Sequence, residues 1–312
     1  MIHRFVLIAA IVTTVLSASA EATRIEQRVL LLDVEDGHLN QVTLFQAALA
    51  CSAPTAMDDD TWAQHFQQHA ERCARQASQA ALPAQRAELI FRYMHDRILT
   101  GAYDENVNCV QDSLRSGRYN CITSTLLYLC LCRECGLEAN AVAVPNHVLV
   151  KLKLDREVLV ETTHDSFHRM GLHDQRIPRI HESREIGDVA LLGRFFYNRA
   201  IQHVQQGDYA EALKAATMSC RLDPLDTSAR NNLLATMNNW SIALCAQGNF
   251  EQASFLVKQG LDVAPDYPPL VANDAYVHHR WISSLRRAGL HSQADQLSRD
   301  LNRRHEHRSR LN

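Results

Sequence analysis

The sequence lacks an excess of charge of either sign. Its formal net charge is -3 over 312 residues, so no overall basic field of the kind that draws in nucleic acid is present. Beyond its first 16 residues it also lacks any segment long and apolar enough to span a membrane, which takes about 20 residues. No cysteine stands at the end of that first apolar segment, which argues against a lipoprotein. Composition is otherwise that of a globular protein, with 46% hydrophobic and 21% charged residues. That leaves apolar area for sizeable cores, and at roughly 150 residues per domain the length suggests two domains. One short basic run, Arg303 to Arg310 with Arg304, His305, His307 and Arg308, reads as part of a solvated, frayed tail over 305–312.

The first residues have the order of a signal peptide. His3 and Arg4 form a positive n-region, and Phe5 to Leu16 is apolar apart from Thr13 and Thr14. Ala18 and Ala20 then supply an A-x-A site, so cleavage is expected after Ala20. The expectation is an exported protein, periplasmic if the source is Gram-negative. Nine cysteines in such a chain (51, 73, 109, 121, 130, 132, 135, 220 and 245) raise the question of disulfides. Cys51 and Cys73 are candidates for a bridge across a helical hairpin, and Cys109 could compete for Cys121. Cys132-Arg133-Glu134-Cys135 is a C-x-x-C, but it ends a helix instead of starting one and lacks the second ligand pair of a zinc ribbon.

Val29 to Val34 could be a strand or part of a helix. Thr43 to Ala50, Thr61 to Ala81 and a segment from Pro83 to Ile98 read as helices, with Asp58 to Asp60 as N-cap residues for the second. Gly101 to Asn108 marks a loop. Ile122 to Leu131 is an apolar helix stopped by Gly136. Strands are expected at Asn140 to Val144, His147 to Leu154 and Val158 to Thr162, the last two joined by the turn Asp155-Arg156-Glu157. From Leu191 onward no strand is expected, but a repeat is. Gly207-Asp208-Tyr209-Ala210-Glu211-Ala212 recurs at Gly248 and more weakly at Gly289, and Pro224 recurs as Pro265, at a period of 41.

Cys121 stands at the expected first turn of the apolar helix, where the helix dipole favours a thiolate. His147 opens the strand of Pro145-Asn146-His147-Val148 and could act as base to the thiol and acid to a leaving group. Glu161 lies on the return strand and could orient the His147 ring. Asn120 and Tyr119 are candidates to line the site, and the Cys121 backbone N–H is a candidate oxyanion donor. The His-rich loop with His164, His168, His173, Asp165 and Asp174 reads as polar surface and not as a metal site.

Asn120-Cys121 through Leu126-Leu127, Gly136-Leu137, Pro145-Asn146-His147 and Glu161-Thr162-Thr163 together resemble the transglutaminase-like cysteine peptidase superfamily, in a bacterial branch joined to tetratricopeptide (TPR) repeats. The Gly207, Gly248 and Gly289 segments resemble those repeats, whose usual period is about 34 residues. The longer period implies an extended first helix or a longer linker. The resemblance implies Cys121 as nucleophile, His147 as base and Glu161 as orienting acid. It departs from the family in placing Tyr119-Asn120, not glycine, before the cysteine, with Gly117 farther back. The expected fold is an α+β papain/transglutaminase-like domain over 21–190, after a signal peptide over 1–20. An all-α TPR-like domain over 191–304 follows. The expected function is a thiol-dependent hydrolase or acyltransferase with no metal or cofactor, whose repeats bind a protein partner or peptide. The alternative is a non-catalytic envelope scaffold with a vestigial transglutaminase-like core.

Overall fold

The computed structural model describes residues 37–52, 57–164, 166–167, 169–170 and 182–309. The expected signal peptide, the segment from Val29 to Val34, and Asp165, His168, His173 and Asp174 lie outside these. The described residues divide into two compact units. One runs up to Gln202 and takes in Met218–Ser228; the other is His203–Thr217 with the chain from Ala229 on.

The first unit opens with helices α1 (Leu44–Ala50), α2 (Asp59–Ala77) and α3 (Pro83–Arg97). Thr43 and Gln46 form a capping box on α1, and the Asp58 side chain accepts from the Thr61 N–H on α2. Each satisfies donors that the first helical turn leaves unpaired. On α2 the buried residues Trp62, Phe66, Ala70, Cys73 and Ala77 recur every three or four positions, the seam of one core-facing stripe. Phe66 stacks on Phe45 of α1 with ring centroids 4.1 Å apart. A short helix, α4 (Val110–Ser116), follows the expected loop, in a stretch where the sequence suggested no element.

Helix α5 (Cys121–Glu134) is buried on every side from Ile122 to Cys132. A helix apolar all round belongs in the middle of a core, and its neighbours in the same core include Phe91 and Met94 of α3, Ala70 of α2 and Val148, Val150 and Leu152 of the sheet. It ends in a Schellman motif: Leu137 N–H donates to the Cys132 carbonyl and Gly136 N–H to that of Arg133, with Gly136 at φ 70°.

The sheet has five antiparallel strands in the order β4-β3-β2-β1-β5, two more than expected. They are β1 (Ala139–Val144), β2 (His147–Lys153), β3 (Glu157–Val160), β4 (Arg169–Met170) and β5 (Arg184–Ile186). Val144 pairs with His147, so Pro145-Asn146 is a two-residue hairpin loop, with Asn146 at φ 61°. Glu157 belongs to the ladder opposite Lys153, not to the turn, so the β2–β3 loop is Leu154-Asp155-Arg156. Alternation sends Val148, Val150, Leu152, Val158 and Val160 into the main core with α5, while Leu149 and Leu159 join Val142 and Val144 in a small cluster on the other face.

All six remaining elements are helices: α6 (Asp188–Gln206), α7 (Tyr209–Leu222), α8 (Thr227–Ala246), α9 (Phe250–Val263), α10 (Pro268–Arg287) and α11 (His291–Ser309). Leu191, Leu192 and Phe195 of α6 belong to the core of the first unit. The 41-residue period resolves into a 20-residue helix, a short turn, a 14-residue helix and a short linker, as α8, α9 and α10 show. The extra length over a 34-residue repeat therefore lies largely in the first helix. Each turn carries a glycine in the left-handed region, Gly207, Gly248 and Gly289 at φ 78°, 83° and 78°. Five residues after each, Ala212, Ala253 and Ala294 are fully buried. This helical region is compatible with a TPR-type stack. Helix α11 continues to Ser309, into the stretch expected to be a disordered tail.

Candidate active site

The site is assembled at the N-terminus of α5 and the open ends of β2 and β3. Asn120 is the N-cap of α5: its Oδ1 accepts from the Ile122 and Thr123 N–H groups, both at 3.0 Å, while Thr123 Oγ1 accepts from the Asn120 N–H. Its Nδ2 donates to the carbonyls of Val107 at 2.5 Å and Glu105 at 3.4 Å. Every polar atom of this buried side chain is thus engaged in building the helix start. It fixes the backbone of the next residue and has no donor left to line the site.

Cys121 is the first residue of α5 and is partly exposed. His147 lies within hydrogen-bond reach of its thiol, at a place fixed by the Pro145-Asn146 turn. His147 Nε2 also meets Glu161 Oε2 at 2.6 Å. Extending the β2–β3 register beyond Val160 puts His147 and Glu161 on one face, a diagonal step apart, within reach of long side chains. Glu161 Oε1 accepts from the Thr163 N–H at 2.9 Å and its hydroxyl at 2.7 Å, so both carboxylate oxygens are held. Thr162 points to the opposite face, where its hydroxyl bonds with Ser124 at 2.8 Å and Thr125 at 3.2 Å on α5. Its carbonyl accepts from His95 Nε2 at 3.2 Å. The tripeptide Glu161-Thr162-Thr163 therefore does two jobs: it supplies the carboxylate and fastens its strand to the helix that carries the cysteine.

Burial pushes the His147 pKa down, but hydrogen bonds to Cys121 and Glu161 and the charge of Glu161 more than offset this and raise it to about 10. Burial pushes the Glu161 carboxyl up, yet the His147 partner and the Thr163 bonds leave it below its usual value. Both shifts favour an imidazolium–carboxylate pair at neutral pH.

Residues 60–180 match the family model of the Transglutaminase-like superfamily. That span holds Cys121, His147 and Glu161 and ends ahead of the helical repeats. Among curated proteins, the chain is 28% identical over 114 residues to the photosystem I assembly protein Ycf3 of Prochlorococcus marinus (strain MIT 9303). The match covers 36% of this chain and 62% of that protein, so the chain spans less than two thirds of the relative's length. No solved structure matches.

The loop before α4 contributes a residue that the sequence reading missed. Tyr103 forms an isolated parallel bridge with Tyr119, and the Asp104 N–H donates to the Tyr119 carbonyl at 2.8 Å. The crossing is possible because Gly101 and Gly117 approach with backbones almost touching; a Cβ on Gly117 would lie 2.6 Å from the Gly101 nitrogen. Gly117, four residues ahead of Cys121, is therefore needed for this contact and for its φ of 72°. Tyr103 is half-exposed, its ring edge-on to that of Tyr119 at 6.1 Å. Partial burial, then the nearby Cys121, Glu105 and Glu161, raise its hydroxyl pKa, which keeps it protonated and a donor. Tyr119 itself is buried, and its hydroxyl donates to the Thr163 carbonyl at 3.3 Å, so it braces the site wall.

The other cysteines of this unit have different surroundings. Burial pushes the thiol of Cys51 up to about 12 and that of Cys109 to about 11, and it raises Cys130 and Cys132 as well. Cys51 and Cys73, candidates for a bridge, are not bridged, and neither are Cys109 and Cys121. The sulfur close to Cys73 is that of Cys135, 4.0 Å away. His164 is exposed. Among the described residues, no cluster of three or more His, Cys, Asp or Glu side chains has the spacing of a metal site.

Proposed function

We propose that the sheet-bearing unit is a thiol-dependent hydrolase or acyltransferase and that the helical repeats bind a protein partner or peptide. The observation that carries this reading is the chain of contacts from Cys121 through His147 to Glu161 at a helix N-terminus. In the proposed reaction Cys121 Sγ attacks an amide carbonyl and the C–N bond breaks. The amine leaves with the proton held on His147, and a thioester remains. His147, now neutral, takes a proton from water or from an incoming amine, which attacks the thioester and releases Cys121. Water gives hydrolysis and an amine gives transfer. The Cys121 backbone N–H and the Tyr103 hydroxyl are the candidate donors to the tetrahedral oxyanion, since the next three N–H groups of α5 are held by Asn120.

The test is the rate of iodoacetamide alkylation at each cysteine against pH, read by mass spectrometry, for wild type and His147→Ala. We expect His147→Ala to slow Cys121 near pH 7 on the order of tenfold, because the charged imidazole that would stabilise a thiolate is gone. Cys135, outside the site, serves as the internal control. A Cys121 rate that ignores His147 would sink the catalytic reading. The same spectra test export, since protein recovered from the source should begin at Glu21.

A second reading, a non-catalytic assembly factor, is favoured by the partial similarity to a protein named for assembly. It becomes the better account if Cys121 proves inert.

A further inference from the structure

Cys73 and Cys135 are 62 positions apart in sequence, yet their sulfurs lie 4.0 Å apart, with Cys73 on α2 and Cys135 capping the C-terminus of α5. Cys73 lies on the buried seam of α2, and Cys135 is held by backbone bonds to Leu131 and Cys132 and by the Schellman turn that follows. Cys73 is buried, whereas Cys135 is partly exposed. Cys132, the other member of the C-x-x-C, is fully buried on the same helix.

We propose that Cys73 and Cys135 form a reversible disulfide, with a small-molecule disulfide such as oxidised glutathione as the oxidant. The sulfurs, 4.0 Å apart, have to close by about 2 Å to reach bonding distance. The electrostatics assign the order of steps. The hydrogen bond between the two sulfurs, set against burial, leaves the Cys135 thiol more acidic than usual, and the same bond together with burial makes Cys73 less acidic. Cys135 is thus the attacking thiolate and the one that solvent reaches. Its sulfur attacks one sulfur of glutathione disulfide; that S–S bond breaks and one glutathione thiolate leaves and takes up a proton. Cys73 then gives up its proton and attacks the Cys135 sulfur, and the mixed disulfide breaks to release the second glutathione. Two protein thiols are oxidised by two electrons, and one glutathione disulfide is reduced to two glutathiones.

This site lies at the opposite end of α5 from Cys121 and does not rest on the catalytic reading. The resulting bridge would tie α2 to the last turn of the helix whose first turn carries Cys121.

The experiment is incubation of the full chain with oxidised glutathione at pH 8. Remaining thiols are then blocked with N-ethylmaleimide, and peptides are mapped without reduction. We expect the Cys73–Cys135 cross-linked peptide as the main bridged species, and a melting temperature several degrees higher that falls back on adding reductant. Cys73→Ser should stop the reaction at the mixed disulfide on Cys135, while Cys132→Ser should leave the cross-link intact. A Cys132–Cys135 bridge, or a glutathione adduct on wild-type Cys135 that never resolves, would overturn the proposal.

Discussion

At the scale of single residues, the site is an exercise in opposed effects on one imidazole. Burial alone would keep His147 neutral; two hydrogen-bonded neighbours keep it charged, with a pKa of about 10 in place of 6.5. The consequence for stability has a definite sign. Because the folded-state value is raised, the contribution of His147 is fully present below pH 6.5 and is lost as pH rises through about 10. The depressed Glu161 works in the opposite direction: its contribution is present above the ordinary carboxylate range and is lost as pH falls through its lowered value. Glu161→Gln should therefore bring the His147 titration, followed by ring NMR, well down from about 10, and flatten the decline in melting temperature between pH 6.5 and 10. An unmoved midpoint would mean that the 2.6 Å contact is not what holds the proton. At this scale the three residues of the candidate site left local marks in the sequence: a cysteine at a helix start, and a histidine and a carboxylate on neighbouring strands. Asn120 and Tyr103 were not legible. An Asn before a helix reads equally well as a cap or as a site wall, and only the two carbonyls beneath its amide decide the matter. Tyr103 arrives by a bridge across two glycines 16 positions apart in the chain, which no local pattern announces.

At the scale of elements, legibility followed length and punctuation. Helices α2, α3 and α5 have a capping carboxylate, an N1 proline or a C′ glycine around long periodic or continuously apolar runs, and their bounds were readable to within a few residues. Helix α4 has seven residues, and β4 and β5 have two and three, too few for a period to show. They exist because β1 and β3 offer edges to pair with, which is tertiary information. The joint between elements that matters most is the Thr162 hydroxyl between Ser124 and Thr125. Thr162→Val keeps the shape and removes the bonds, leaving buried hydroxyls on α5 to find other partners. It should cost about 1–3 kcal/mol in urea unfolding and slow Cys121 alkylation, because the carboxylate of the adjacent residue loses its anchorage. A neutral result would show that the strand is held by its ladder alone.

At the scale of the whole molecule, the chain builds two units by different means, one around a helix apolar on all sides and one by a 41-residue repeat. The repeat was visible in the sequence because glycine and alanine recur where the turn needs a left-handed residue and the helix contact needs a small one. Gly260 on α9 shows how tight such contacts are: a Cβ there would overlap the Leu270 side chain of α10. Gly260→Ala should cost about 1–3 kcal/mol through overpacking. In hydrogen exchange it should speed exchange in α8 to α10, while Thr162→Val speeds it in α5 and the sheet. If either substitution loosened both sets alike, the two units would not be energetically separate.

The alternation of Glu161 and Thr162 across the strand makes assembly of the site a matter of parity. A slip of β3 by one position would turn a carboxylate toward buried hydroxyls and a methyl-bearing alcohol toward the imidazole, and no intermediate register half-satisfies both faces. The loop of Leu154, Asp155 and Arg156 thus works as a counter. Its length, more than its composition, determines whether the strand arrives on the odd or the even step, and errors in it would abolish the contact between His147 and Glu161 outright instead of weakening it by degrees.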